Sequence, residues 1–368
     1  MALESEKSLK VVIAGGGTGG HIFPGVAVGR EIQNRFKDAK VIFVSGKRKM
    51  ESEIFDRYGF DQRRISVEGI KGRGWIKGIK VLSMLPYSFF QSISILKKFL
   101  PHLVLGVGGY SAGPVCLAGK VMGIPTAIHE QNSFPGFTNR LLCRIVDRVF
   151  ISFEESREYF PCGVIYLTGN PLRQELLTDN NNGERVSDRF TILVVGGSQG
   201  ARTVNRTFLE ALDILRKEGR EPCVIHQTGQ TDYYHVVKEY ENRGLKGKIL
   251  SFIQDMGAAY HQADVVVGRA GATTISELAA LGKPSILIPY PFAANDHQVT
   301  NALMLVNAGG AEIILQKNLN AQILAGVLRK YMEDRGALNK MGQLAKSVGK
   351  KDAVDKIVDQ LMMMIRRD

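Results

Sequence analysis

"KVVIAGGGTGGHIFPG", residues 10–25, runs from a short apolar segment, Val11–Ala14, into glycines at 15, 17 and 20 spaced as G-x-G-x-x-G. An apolar run that ends in such glycines and passes into a helix opens a doubly wound α/β unit. The pattern returns in outline in "ILVVGGSQGARTVN", residues 192–205. Around these two starts, Val- and Ile-rich runs alternate with stretches of helical length. The first half carries Val41–Val44, Leu103–Gly106, Thr126–Ile128 and Arg148–Ile151. The second carries Thr191–Val195, Cys223–Gln227, Asp264–Val267 and Ser285–Pro289. Such runs predict parallel strands joined by crossover helices. The fold class is therefore α/β, with two Rossmann-like doubly wound domains in tandem. A length of 368 residues fits, since one core seldom serves so long a chain. The polar, turn-rich "NNNGERVSD" (180–188) falls in an expected hinge near 165–190. Ligands of such folds sit at the carboxyl ends of the strands, so facing domains would make one cleft.

The first glycine loop does not choose a chemistry by itself. An NAD site wants an acid at the end of the second strand, to hold the ribose hydroxyls. That strand, "KVIFVSGKRKM" (40–50), ends in Ser45-Gly46 and continues with Lys47, Arg48 and Lys49. NAD is disfavoured, and NADP stays open because a basic residue there could meet a 2′-phosphate. A P-loop is excluded, because His21 and Ile22 stand where Lys and Ser/Thr are required. Glycines there could also simply permit a tight turn. What the loop does offer is backbone N–H at a helix N-terminus, suited to an anion.

The second half is more specific. In "VVVGRAGATTISELAALGKPSILIPYPFAANDHQVTNA" (265–302), a helix is expected to begin near Ala272, Thr273 and Thr274. Its first N–H groups suit a diphosphate. Glu277, about one turn in, could accept both hydrogen bonds of a ribose diol, or simply favour the helix dipole. Asp296, His297 and Gln298 follow a Pro-rich loop at a strand's carboxyl end, where polar groups read as a site, although Asp296 alone would serve as an N-cap.

Composition narrows the setting. Hydrophobic residues at 44% and charged residues at 23% are those of a soluble globular protein. No apolar run is long enough for a transmembrane helix, and "MALESEKSLK" is not a secretory signal. Cysteines 116, 143, 162 and 223 lie far apart, as buried thiols in a reducing cytosol do. The formal charge of +12 is uneven: residues 1–165 hold 23 Lys/Arg against 14 Asp/Glu. From Gly69 to His129 there is no acid, while Lys71, Arg73, Lys77, Lys80, Lys97, Lys98 and Lys120 are basic. This predicts a polyanion or anionic membrane facing the first half, or a solvated basic face.

Eight motifs in order resemble one family: "GGGTGGHIFPG" (15–25), "GVGGYSAGP" (106–114), "HEQNSFPGFTNR" (129–140), "GNPLR" (169–173), "GGSQGAR" (196–202), "FIQDM" (252–256), "GRAGATTISEL" (268–278) and "DHQVTNA" (296–302). The chain resembles the MurG-type N-acetylglucosaminyltransferases of bacterial peptidoglycan synthesis, which convert lipid I to lipid II. The resemblance implies a GT-B fold. Residues 1–168 would be the acceptor- and membrane-binding domain and 169–349 the UDP-N-acetylglucosamine domain. A C-terminal helix, about 350–368, would pack back onto the first. The donor set would be Thr18, Gly19, Gly20, Asn132, Arg173, Ser198, Ile253, Ala272, Thr273, Thr274, Glu277 and Gln298. Of these, the Ile253 backbone would read uracil, and Asn132 would reach across to the sugar. Val299 follows Gln298 where some relatives carry a second polar residue. Gly15, Gly16 and Gly17, with Gly108, Gly109, Tyr110 and Ser111, would be acceptor pyrophosphate loops.

The implied reaction is inverting and needs a base for the muramyl 4-hydroxyl. His21 is the first candidate, because an imidazole titrates near neutral pH, and Glu130 is the second. No D-x-D occurs, so no metal is required, although a loosely associated divalent ion stays open. The basic stretch 71–92 then reads as an interfacial segment, with Trp75, Ile76, Lys77, Ile79, Lys80, Leu82, Leu85 and Phe89 as a membrane patch. Packing of its apolar side on its own domain is the competing reading. Each Lys or Arg near anionic lipid is worth about 1 kcal/mol. Expected partners are UDP-N-acetylglucosamine, the undecaprenyl-linked acceptor lipid I, an anionic membrane surface and other cell-wall synthesis proteins. Nucleic acid is not expected, since the basic segment carries bulky aliphatics rather than aromatics spaced for stacking. The expected location is peripheral, at the cytoplasmic face of the bacterial inner membrane. The alternatives are an NADP-dependent oxidoreductase and a non-catalytic sugar-nucleotide-binding scaffold.

Overall fold

The computed structural model describes residues 8–17, 19–67, 75–161, 163–177, 189–197 and 200–365, without the side chains of 75–83 and 294. Thr18, Ser198, Lys71, Arg73 and the stretch 180–188 lie outside the described residues, as do the side chains of Trp75, Ile76, Lys77, Ile79, Lys80 and Leu82. The chain divides into two units, after Arg173 and again after Lys351. "GNPLR" (169–173) therefore belongs to the first unit, and the division falls five residues later than the sequence suggested.

The first unit holds β1 Lys10–Ala14, β2 Lys40–Ser45, β3 Asp61–Arg64, β4 Leu103–Gly106, β5 Thr126–Glu130, β6 Arg148–Ile151 and β7 Val164–Leu167. They pair in parallel in the order β3-β2-β1-β4-β5-β6-β7. The second unit repeats the plan with β8 Thr191–Val195, β9 Cys223–Gln227, β10 Lys248–Leu250, β11 Val265–Gly268, β12 Ser285–Leu287 and β13 Ala311–Ile313, ordered β10-β9-β8-β11-β12-β13. In each sheet the strand order reverses between the first and fourth strands, the position at which doubly wound folds bind ligands.

The central strands are apolar throughout because both faces are covered. Val11 and Ile13 pack into one layer with Val41, Phe43, Leu103 and Leu105, while Val12 and Ala14 pack into the other with Ile42, Val44 and Val104. Successive side chains point to opposite faces, so a covered sheet needs hydrophobes at every position. The first layer is completed by the last helix, Ala353–Ile365, whose Val354, Ile357, Val358, Leu361 and Met364 form one buried stripe. Burying each such side chain is worth about 1.5–3 kcal/mol. Arg35 adds specificity, bonding Glu31 on its own helix and both Asp355 and Asp359 on the last one. Arg148 reaches Gln360 in the same way. This helix thus folds as part of the first unit.

Each unit also buries one neutral histidine. Burial lowers the His129 pKa to about 4 and that of His226 to about 3. An unfolded histidine titrates near 6.5, so below that pH the unfolded chain binds protons that the folded chain does not. Stability is full above about pH 6.5 and falls on acidification, by about 1.4 kcal/mol per pH unit for each ring. At pH 5 each unit is expected to have lost about 2 kcal/mol. Calorimetric melting from pH 7 to 5 checks this, and a constant Tm would mean that the rings take up protons in place.

Candidate functional site

In the first unit, the loops after β1 and β4 touch. Gly109 has φ +79°, and a Cβ there would stand 2.3 Å from the Gly16 carbonyl oxygen. No other residue fits such a left-handed, close approach. Gly108, at φ +90°, lies under His21, whose Nδ1 would be 2.7 Å from a Cβ. Ser111 precedes the helix Ala112–Val121 without capping it by its side chain. Its Oγ is buried and has no hydrogen-bond partner among the described residues. An unanswered buried hydroxyl beside uncapped helix N–H groups is a polar cradle that an anion would complete. Tyr110 next to it is exposed.

Gly17 is less available than the sequence suggested. Its N–H donates to Glu51 Oε1 at 2.7 Å and its carbonyl accepts from Arg48 Nη1 at 3.1 Å. Glu51 is buried, on the helix Lys49–Arg57, and its Oε2 has no partner among the described residues. The first loop is therefore held from below by a carboxylate, and Gly17 has no N–H left for a ligand. Gly15 also spends its N–H, on the Val44 carbonyl at 3.1 Å.

His21 stands in the first turn of the helix Gly19–Arg35, half-buried, with Nδ1 2.9 Å from Gln131 Oε1. Glu130, the other candidate base, is buried and fully engaged. One carboxylate oxygen accepts from the backbone and side chain of Asn132, at 3.0 and 3.2 Å. The other accepts from Gly136 N at 3.0 Å and Asn139 Nδ2 at 2.8 Å. Its work is to fold the loop 131–139, and no lone pair is turned toward a substrate proton. Asn132 is tied into the same bonds. Arg173 stacks on Phe23 at 4.2 Å and reaches the Tyr58 hydroxyl at 3.3 Å.

The membrane patch can be followed only at its end. Leu85 is 44% exposed, whereas Phe89 turns inward against the core between the sheet and its helices. Its neighbour Phe90, 66% exposed, takes the outward position instead, together with Tyr87. Helical periodicity places 89 on the sheet side and 90 on the other. Among the described residues no helix is long and apolar enough to cross a membrane.

In the second unit, the helix Ala272–Leu281 follows β11, with Gly271 at its N-cap giving no side-chain cap and Ala272, Thr273 and Thr274 as its first residues. Glu277 lies one turn further and is only 6% exposed. The Tyr260 hydroxyl donates to its Oε2 at 2.9 Å and so fixes the carboxylate. The Ile253 N–H donates to Gln227 Oε1 at 2.8 Å, so in this state only the Ile253 carbonyl remains for a base edge. Gln298 Oε1 accepts from Tyr290 N at 2.9 Å. Asn295 and Asp296 are both left-handed, at φ +50° and +49°, a strained entry to the helix His297–Asn307. Asp296 occupies the N-cap position, but its side chain accepts no capping bond.

Arg269 braces this loop. Its guanidinium donates to the carbonyls of Ile288 and Pro289, at 3.0 and 3.1 Å, and to Gln316 Oε1 at 2.7 Å. Burial lowers its pKa, and no carboxylate pairs with it among the described residues. Four further residues shape these sites: Gln131 and Arg269 lie inside quoted motifs, whereas Glu51 and Tyr260 sit on helices with no sequence signal to mark them.

Two family models match the chain. The glycosyltransferase family 28 N-terminal domain covers residues 11–151, and the family 28 C-terminal domain covers 191–357. The chain is 43% identical over 363 residues to the UDP-N-acetylglucosamine--N-acetylmuramyl-(pentapeptide) pyrophosphoryl-undecaprenol N-acetylglucosamine transferase of Geobacter sulfurreducens, covering 98% of this chain and 100% of that one. It is 44% identical to the Myxococcus xanthus protein of the same name, covering 95% and 92%. The crystal structure of MurG from Acinetobacter baumannii matches with a TM-score of 0.74 at 30% identity, over 96% of this chain and 99% of that one.

Proposed function

The chain belongs to glycosyltransferase family 28 and within it to the MurG-type N-acetylglucosaminyltransferases, and from that premise we propose that it moves N-acetylglucosamine from UDP-N-acetylglucosamine to the muramyl 4-hydroxyl of lipid I, forming lipid II and UDP. Full-length likeness to relatives named for this reaction carries the reading. The dinucleotide alternative has lost its footing: a buried carboxylate takes the Gly17 N–H that a pyrophosphate would need.

The donor reading rests on the second unit. The uncapped start of Ala272–Leu281 supplies N–H groups for the diphosphate, and Glu277 a prefixed acceptor for the ribose diol. Gln298 meets the sugar with its amide orientation set by Tyr290 N. The acceptor pyrophosphate reading rests on the orphan Ser111 hydroxyl and the Gly108-Gly109 turn. In the transfer, His21 Nε2 takes the hydroxyl proton as the oxygen bonds to the anomeric carbon. The bond from that carbon to the diphosphate breaks, and UDP leaves with the electron pair. Helix N–H groups stabilise the leaving charge in place of an obligate metal. UDP release from several UDP-sugars, with and without a lipid-pyrophosphoryl-muramyl acceptor, tests the whole reading. Release from UDP-N-acetylglucosamine only with acceptor is expected, and acceptor-independent binding without release would reduce the protein to a scaffold.

The enzyme works at an anionic membrane surface as a peripheral protein, on the cytoplasmic side. Support comes from the acid-free stretch 69–129 and the exposed Leu85, Tyr87 and Phe90. Charge reversal at Lys77 and Lys80 is expected to lower sedimentation with anionic vesicles at least tenfold, since two reversals remove more than 2 kcal/mol. Unchanged sedimentation would remove the surface from consideration.

A further inference from the structure

A chain of hydrogen bonds runs behind His21, and carbonyls at two points fix its sense. Gln131 Nε2 lies 2.9 Å from the Val107 carbonyl oxygen, which can only accept, so this end of the amide is the NH2. Its Oε1 is then the atom facing His21 Nδ1 at 2.9 Å. An amide oxygen only accepts, so Nδ1 carries the proton. The same NH2 lies 3.0 Å from His129 Nδ1, which must accept, leaving His129 protonated at Nε2. That N–H meets the Gly169 carbonyl at 3.2 Å, again a pure acceptor. All the donors and acceptors agree. Burial, which keeps His129 neutral, agrees as well.

We propose that Gln131, itself locked by Val107 and His129, is a positioning residue that holds His21 in the Nδ1–H tautomer and so presents a bare Nε2 to the acceptor hydroxyl. The consequence for catalysis rests on the proposed base role of His21, whereas the tautomer does not. Gln131 has no titratable proton, so the proton taken from the hydroxyl stays on His21 Nε2 and the imidazolium keeps its Nδ1–H bond to Oε1. Gly108 belongs to the device, because any side chain there would meet His21 Nδ1 and Gln131 Oε1. Neutral His129 keeps a second positive charge away from the imidazolium as it forms.

The tautomer is read directly, on the wild-type chain, by 15N NMR of histidine-labelled protein. Seven histidines are present, and His21→Ala assigns the signal by its disappearance. At pH 8 the His21 pair is expected to show a protonated Nδ1 and a bare Nε2. The reverse pattern overturns the proposal, whatever the activity. Gln131→Met, which fills the space without either bond, is expected to shift His21 toward the Nε2–H form. It should also lower kcat about 10- to 100-fold, below the 10⁴ limit for a base held wholly in the wrong tautomer. KM for UDP-N-acetylglucosamine, whose diphosphate and ribose are assigned to the other unit, should change less than twofold. A shifted tautomer with unchanged kcat would leave the lock standing and sink the base role. An unshifted tautomer in a folded Gln131→Met chain would sink the lock.

Discussion

His21→Ala is expected to lower kcat by about 10²–10⁴-fold, the range that a positioned general base contributes. The loss should fall on turnover, with KM for UDP-N-acetylglucosamine within about twofold, because the groups assigned to the diphosphate and ribose, Ala272–Thr274 and Glu277, lie on the other unit. Steady-state UDP release at saturating substrates measures it. Near-normal turnover would remove His21 as the base. Glu130→Gln is the necessary contrast. That carboxylate accepts four hydrogen bonds, and a glutamine would turn an NH2 against two of those donors. Each frustrated bond costs about 1–3 kcal/mol. Its loss of activity should therefore come with a lower Tm, whereas half-buried His21 can be truncated with little change in stability.

The sequence was legible where both faces of a strand are covered. Every interior strand of both sheets was foreseen within two residues, because continuous Val/Ile runs have few other readings. The four strands not foreseen, Asp61–Arg64, Val164–Leu167, Lys248–Leu250 and Ala311–Ile313, are the four edges of the two sheets. Edge strands are short and half-solvated, three or four residues each: β3 reads "DQRR", β10 and β13 are three residues long, and the apolar "VIYL" of β7 is too short a run to separate strand from loop. They are found by their neighbours: β3 exists because β2 offers an open ladder from Ile42 to Ser45.

The site was legible in the same partial way. Glycine loops and polar groups near strand ends single out candidates, so His21, Glu277 and Gln298 can be named from the sequence. What orients them cannot. Gln131, Tyr260 and Gln227 act through contacts 110, 17 and 26 residues away in the chain. Spacing carries no trace of such partners. Nor could the sequence tell that Gly17 spends its N–H on Glu51, which is why the proposed anion-holding role rests on the Gly108–Ser111 turn.

Glu277 puts the donor reading at greatest risk. Buried, with one oxygen fixed by Tyr260, it offers a charged acceptor whose direction is set before the nucleotide arrives. Hydrogen bonds to a charged group contribute about 1.5–3 kcal/mol, equivalent to 10- to 150-fold in affinity. Glu277→Gln keeps the shape and loses the charge, so KM for UDP-N-acetylglucosamine should rise 10- to 100-fold while kcat stays within about threefold. UDP and 2′-deoxy-UDP separate a ribose reader from a structural carboxylate. The wild-type chain should favour UDP by at least tenfold and the variant should lose most of that preference, since a reader of the diol has nothing to lose on the deoxy ligand. Tyr260→Phe removes the orienting bond, worth a net of about 0.5–1.5 kcal/mol, and should cost about 3- to 10-fold in the same ratio. If both variants weakened UDP and 2′-deoxy-UDP equally, Glu277 would be holding its helix rather than the ribose, and the start of the helix Ala272–Leu281 would be left to carry donor recognition.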